Sequence, residues 1–222
     1  LFLEESVRTL VETRALVGER GAYRLVQAPD TLQVPATVQA IIAARIDRLD
    51  PQDKRVLQAA AVVGTHVPFV LLRAVVEIDE EALRRSLAQL QTAEFVYEAQ
   101  LFPDLEYAFK HALTHEVAYG SVLQDRRRAL HAAIVEAIER LYADRLHEQI
   151  ERLAHHAVRS AVLPKAIRYL REAGLKAAGG SANRAAVAYF EEALALIDQL
   201  PRTTGTLTEA LEIRMALGPP LI

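Results

Sequence analysis

Cysteine is absent from all 222 residues. Neither a disulfide nor a thiolate metal site is therefore open to this chain, and a reducing, cytoplasmic setting fits. No apolar run is long enough to span a bilayer and no signal peptide is recognisable, so no membrane partner is expected. A dominant charge sign is missing too. The net charge of −3 gives no electrostatic case for nucleic acid or an anionic surface as the main partner. The short motifs of phosphate and acyl chemistry are likewise absent. There is no Gly-x-x-x-x-Gly-Lys-Ser/Thr loop, no Gly-x-Gly-x-x-Gly turn and no Gly-x-Ser-x-Gly elbow. Nothing else in the chain looks like catalytic machinery, and this region on its own is expected not to be an enzyme.

What is present is a globular composition. Hydrophobic residues make up 51% and charged residues 25%, enough apolar surface to build one or two compact units. The chain opens inside an amphipathic pattern, with Leu3, Val7, Leu10 and Val11 on one face, and closes on Gly218-Pro-Pro-Leu-Ile222 straight after a helical stretch. Domains usually end in polar linkers, so an internal piece of a longer protein is expected.

Periodicity predicts a mainly α fold. Residues 1–12 read as a helix, and 15–17 with 23–26 as a short hairpin around Gly18-Glu-Arg-Gly21. Val38, Ile41, Ile42, Ile46 and Leu49 fall on one helical stripe. Asp50-Pro51-Gln-Asp53 marks the next start: Asp50 caps, Pro51 suits the first position and Asp53 meets the positive end of the dipole. Ala59, Ala60 and Ala61 give this helix a close-packing side, and Gly64 ends it. Pro68 opens a short helix to about Val76, and Asp79 caps another lined by Leu83, Leu87 and Leu90. There the period drops from 3.6 to 2. Phe95 and Tyr97, a turn at Phe102-Pro-Asp104, then Leu105, Tyr107 and Phe109 describe a hairpin. From Lys110 the chain reads as helical almost to its end. Within that part, Ala166-Ile-Arg-Tyr-Leu-Arg-Glu-Ala173 repeats as Ala186-Val-Ala-Tyr-Phe-Glu-Glu-Ala193. The alternation of small and large residues there fits a tetratricopeptide-like helix pair, a unit that stacks into partner-binding arrays.

The histidines are the remaining candidates for chemistry. His111 and His115 stand one helical turn apart and would need a third ligand to hold a metal; one turning inward and one solvated is the plainer reading. The adjacent pair His155-His156 points in two directions and cannot chelate from one helix face. DNA reading is weakly supported. The candidate helix 79–91 opens with Asp79, Glu80 and Glu81 and offers only Arg84 and Arg85, while the turn at 100–106 is acidic. The basic run Arg126-Arg-Arg128 lies outside that region and reads as a solvated cap or an interdomain ion-pair patch.

Three helices followed by a hairpin, then Tyr107-Ala-Phe-Lys-His-Ala-Leu-Thr-His-Glu-Val-Ala-Tyr119, resemble the winged-helix part of bacterial STAND-type ATPases. In that family the region often lies downstream of a class III adenylate or guanylate cyclase. Other segments carry the same likeness. Leu1-Phe-Leu-Glu-Glu-Ser-Val-Arg-Thr-Leu10 resembles a helix of the ATPase lid. Val34-Pro-Ala-Thr-Val38 through Ala44-Arg-Ile-Asp-Arg-Leu49 is similar to the family's "VPxTV…ARIDRL" segment, and Leu57-Gln-Ala-Ala-Ala-Val-Val-Gly64 resembles the first winged-helix helix. The resemblance implies a lid remnant over 1–49, a winged-helix domain with a small β-hairpin over 50–123, and truncated tetratricopeptide-like repeats over 124–222. It implies a conformational switch rather than an enzyme in this region. ATP or ADP with Mg²⁺, an ATPase domain and a possible cyclase would belong to the parent protein, and a protein or small molecule would bind the repeats. In related switches a histidine at the end of the wing contacts bound ADP. His111 occupies the matching place and is the candidate nucleotide sensor, with Lys110 beside it as a second candidate. The family often follows that histidine with Asp; here Ala112 follows. A LuxR-type or antibiotic-regulator transcription factor with the same middle, and a nucleotide-independent repeat scaffold, are the alternatives.

Overall fold

A computed structural model describes residues 37–102 and 104–218, together with Val7, Val11, Leu16–Val17 and the backbone of Arg24–Leu25. The expected helix over 1–12 and the loop before Thr37 lie mostly outside the described residues; Val7 and Val11 are helical. The fold is mainly α, with ten α-helices and a small three-stranded antiparallel sheet among the described residues. The chain forms two compact units, 1–123 and 124–222.

In the first unit β1 (Leu16–Val17) pairs antiparallel with β2 (Arg24–Leu25), the short hairpin expected around Gly18 and Gly21. Helix α1 (Val38–Asp47) starts at Thr37, whose hydroxyl accepts from the Ala40 amide at 3.2 Å. Its stripe of Ile41, Ile42 and Ile46 is fully buried. Helix α2 (Pro51–Val63) begins as expected. Asp50 accepts from the Gln52 amide at 2.9 Å, Pro51 opens the helix and Asp53 lies in the first turn. Its close approach to neighbouring helices follows from Ala59, Ala60 and Ala61, all buried. Gly64 ends α2 at φ 143°, a conformation that costs a Cβ-bearing residue dearly.

Strand β3 (His66–Pro68) leads directly into α3 (Phe69–Val75). Helix α4 (Glu80–Thr92) follows its Asp79 cap, which accepts from the Ala82 amide at 2.8 Å. Strands β4 (Val96–Gln100) and β5 (Glu106–Phe109) then form the expected hairpin. The sheet order is β3-β5-β4, with Val67 opposite Tyr107. The third strand is an addition to the sequence expectation: three residues are too few to establish a period, and Pro68 argues against strand. An edge position tolerates that proline because the missing N–H faces away from the ladder. Helix α5 (Ala112–Gly120) closes the unit by packing on α1 and α2.

The second unit is a sequential helical stack. It comprises α6 (Gln124–Leu141), a 3₁₀ segment (Ala143–Gln149), α7 (Ile150–Ser160), α8 (Leu163–Gly179), α9 (Asn183–Ile197) and α10 (Thr204–Leu217). Each α-helix packs on the next in sequence, as short connections require of antiparallel neighbours. The tightest seam joins α8 and α9. A Cβ placed on Gly174 would lie 2.5 Å from Cε1 of Phe190, so the ring occupies the space that glycine leaves. Helix α10 begins with a reciprocal capping box between Thr203 and Thr206.

Candidate functional site

Lys110 and His111 occupy the junction where β5 ends and α5 begins. The strand places Lys110 by pairing, since its amide donates to the Phe95 carbonyl at 3.1 Å. Its ammonium forms an ion pair with Glu94. Glu94 itself sits in the left-handed region at φ 55°, at the turn that ends α4. The Glu94 amide donates to Gln91 O at 2.8 Å and the Phe95 amide to Leu90 O at 2.9 Å, closing that helix. Lys110 is thereby tied to the base of the hairpin, and any second contact competes with Glu94.

His111 is the residue before the first turn of α5. Its backbone is extended (φ −139°, ψ 141°), and its carbonyl accepts from the amides of Thr114 and His115 at 3.0 and 3.3 Å. The backbone thus starts the helix while the imidazole makes no capping hydrogen bond. The side chain is partly exposed, so both ring nitrogens are chemically competent to meet a polar group brought from elsewhere.

His115 has a different job. Its Nε2 lies 2.9 Å from the Ala61 carbonyl of α2, and its ring meets Phe109 edge-on at 5.1 Å and stacks near Tyr119 at 6.2 Å. Both histidines are half-buried, but only His115 ties α5 to α2. Among the described residues no group of three or more His, Cys, Asp or Glu side chains is arranged to hold a metal ion.

Nearby, the arginines of α4 are already engaged. Arg84 binds Glu80 at 2.8 Å and lies over the Phe69 ring at 4.5 Å, while Arg85 binds Glu81. Arg45 turns inward at 3% exposure. Its guanidinium donates to the Ala93 carbonyl at 2.6 Å and covers the Phe95 ring at 4.7 Å, tying α1 to the end of α4 just below Glu94. Arg45 falls within the stripe of Ile41, Ile42 and Ile46, whereas its exposed neighbour Arg48 falls at the edge of that stripe.

The second unit holds a side-chain cluster that the sequence reading missed. His131 on α6 and His156 on α7 are each 1% exposed, with their Nδ1 atoms 2.8 Å apart. His155 adds a third ring, 5.0 Å from His156 at 85°. The adjacent rings diverge as expected, but one goes inward to meet a histidine 25 residues away. Burial, reinforced by His155, Arg159 and Arg127, pushes His131 down to about 4. Burial, then His131, His155 and two arginines, pushes His156 down to about 2. Also on α6, Glu139 accepts from Lys165 at 2.7 Å and from the Tyr169 hydroxyl, bridging α6 and α8. Burial pushes the Glu139 carboxyl up, but these donors outweigh it and hold it below its ordinary value. Burial and the bond to Glu139 push the Tyr169 hydroxyl up to about 12.

Comparison with known proteins adds one relative. The chain is 30% identical over 223 aligned positions to a Rhizobium meliloti (strain 1021) protein named Uncharacterized protein R02095. The match takes in all of this chain and 21% of that protein, so the chain spans about a fifth of the relative's length. No protein-family model matches the chain, and no solved structure gives a significant match. Among the described residues no helix is long and apolar enough to cross a membrane.

Proposed function

We propose that this chain is the regulatory middle of a STAND-type ATPase switch, of the kind that controls a class III nucleotide cyclase. In this reading 1–49 belongs to the ATPase lid, 50–123 is a winged-helix domain and 124–222 is the start of a tetratricopeptide-like array. The observation that carries the proposal is the β5–α5 junction. It holds an imidazole at a strand-to-helix joint and leaves its polar atoms unused by the cap. A histidine so placed is suited to donate a hydrogen bond to a phosphate presented by a neighbouring ATPase domain. Nucleotide state is then coupled to domain packing, because ADP favours the arrangement in which that contact is made. A closed-to-open difference of about 2–5 kcal/mol suffices for such a switch. The repeats bias it by binding a protein or small molecule.

A direct DNA role for α4 is disfavoured in this reading. Arg84 and Arg85 would have to leave Glu80 and Glu81 to meet phosphates, and the acidic first turn faces any backbone that approaches.

The test is the nucleotide content and domain order of the complete protein. Retained ADP in the purified resting form, with a phosphate loop and a cyclase upstream, is the expected result. A terminal helix-turn-helix in place of the cyclase moves the output to transcription. No phosphate loop anywhere leaves only a repeat scaffold and overturns the switch.

A further inference from the structure

We propose that the His131–His156 pair is an acid-sensitive clasp that holds α6 against α7 at neutral pH and releases that joint as pH falls. This inference stands apart from the nucleotide switch and rests on the geometry of the second unit. Two imidazole nitrogens 2.8 Å apart require one proton between them. Two N–H groups would clash there and two lone pairs would repel, so one ring donates through Nδ1–H and the other accepts. Both rings are neutral in that arrangement, and both are fully buried. The two Nδ1 atoms therefore satisfy each other, but only in one protonation pattern. A proton added to the accepting Nδ1 removes the acceptor and breaks the bond. A proton on the far nitrogen of the donating ring keeps the bond but places a charge in the interior.

The surroundings oppose that charge. Arg127 on α6 and Arg152, His155 and Arg159 on α7 all act against protonation of one or both rings. Several charged groups on the elements packed against α7 are engaged in other contacts. Arg145 of the 3₁₀ segment lies over Tyr142, and Lys176 of α8 binds Glu151 and the His147 carbonyl. Lys165 and Arg168 of α8 bind Glu139. Opening the joint hydrates both rings, and each then takes up a proton below its ordinary value of 6.5. The sign follows: both folded values lie below the free value, so the open form binds more protons and gains population as pH drops below 6.5. An apolar pair would pack this seam with no such dependence.

The direct test is hydrogen exchange of the full 222-residue chain between pH 7.5 and 5.0, corrected for intrinsic exchange. Opening of peptides from α6 and α7 is expected to rise about tenfold to a hundredfold per pH unit below 6.5, one factor of ten for each ring that charges. Peptides from the α8–α9 seam should lag behind. His156→Asn keeps a hydrogen-bonding amide near the Nδ1 position but cannot ionise, and should cut the dependence by about tenfold per pH unit. His131→Asn together with His156→Asn should leave only the smaller dependence contributed by His155, whose value burial and then Arg159 also lower. Exchange in α6 and α7 that is flat with pH, or that rises equally in every helix, overturns the clasp. So does the same dependence in the doubly substituted chain. Should that chain not fold, the wild-type profile alone decides between these outcomes.

Discussion

At the scale of single residues, the same side chain takes opposite roles according to where the helix turns it. His111 and His115 differ by one turn, yet only His115 reaches the Ala61 carbonyl. Gly174 offers the sharpest residue-level test. In a helix, Gly→Ala normally gains about 1 kcal/mol. Here the new methyl would lie 2.5–2.9 Å from three atoms of the Phe190 ring, and Phe190 is itself fully buried. Overpacking of that kind costs about 1–3 kcal/mol, so Gly174→Ala is expected to lower the denaturant midpoint. A raised midpoint would show that the ring can move aside. The alternation of small and large residues across the two similar segments made a close helix pair legible, though not this particular contact. The sequence did not reveal Arg45, His131 or His156. An arginine or histidine on an amphipathic helix reads as surface unless its tertiary partner is known, and those partners stand 48 and 25 residues away.

At the scale of elements, boundaries were written in the chain wherever a cap supplied a local reason. Asp50-Pro51 and Asp79 start their helices with side-chain bonds to the first-turn amides, and Gly64 stops one with a backbone that favours glycine. Asp79→Ala should therefore destabilise the first unit by about 1 kcal/mol, read as a shift in the unfolding midpoint. No shift would mean that Glu80 and Glu81 carry the helix start through the dipole alone. Elements lacking such punctuation were not legible. Strand β3 is held by its pairing with β5, a contact about 40 residues away along the chain. The 3₁₀ segment 143–149, with Arg145 out of helical geometry at φ −143°, interrupts what composition alone reads as continuous helix. Propensity leaves such a break to tertiary packing.

At the scale of the whole molecule, each unit carries one polar device on an otherwise apolar frame. In the first unit the hairpin, the α4 end and α5 converge on Lys110 and His111, with Arg45 bracing the layer below. In the second, the imidazole pair and the Glu139–Tyr169 bridge join α6 to the two helices that follow it. The mainly α architecture and the hairpin were legible from period alone. The role proposed for His111 was legible only through the resemblance, because a ring that makes no capping bond at a helix start has no signature of its own in a single sequence. In the proposed switch the partners of that ring lie outside this chain, so the decisive measurement belongs to the complete protein. His111→Ala should leave folding intact, since the ring caps nothing. It should also release ADP about tenfold faster or more, the loss of one hydrogen bond to a charged group, and raise basal output. Unchanged ADP retention together with unchanged basal output in that variant would contradict the account.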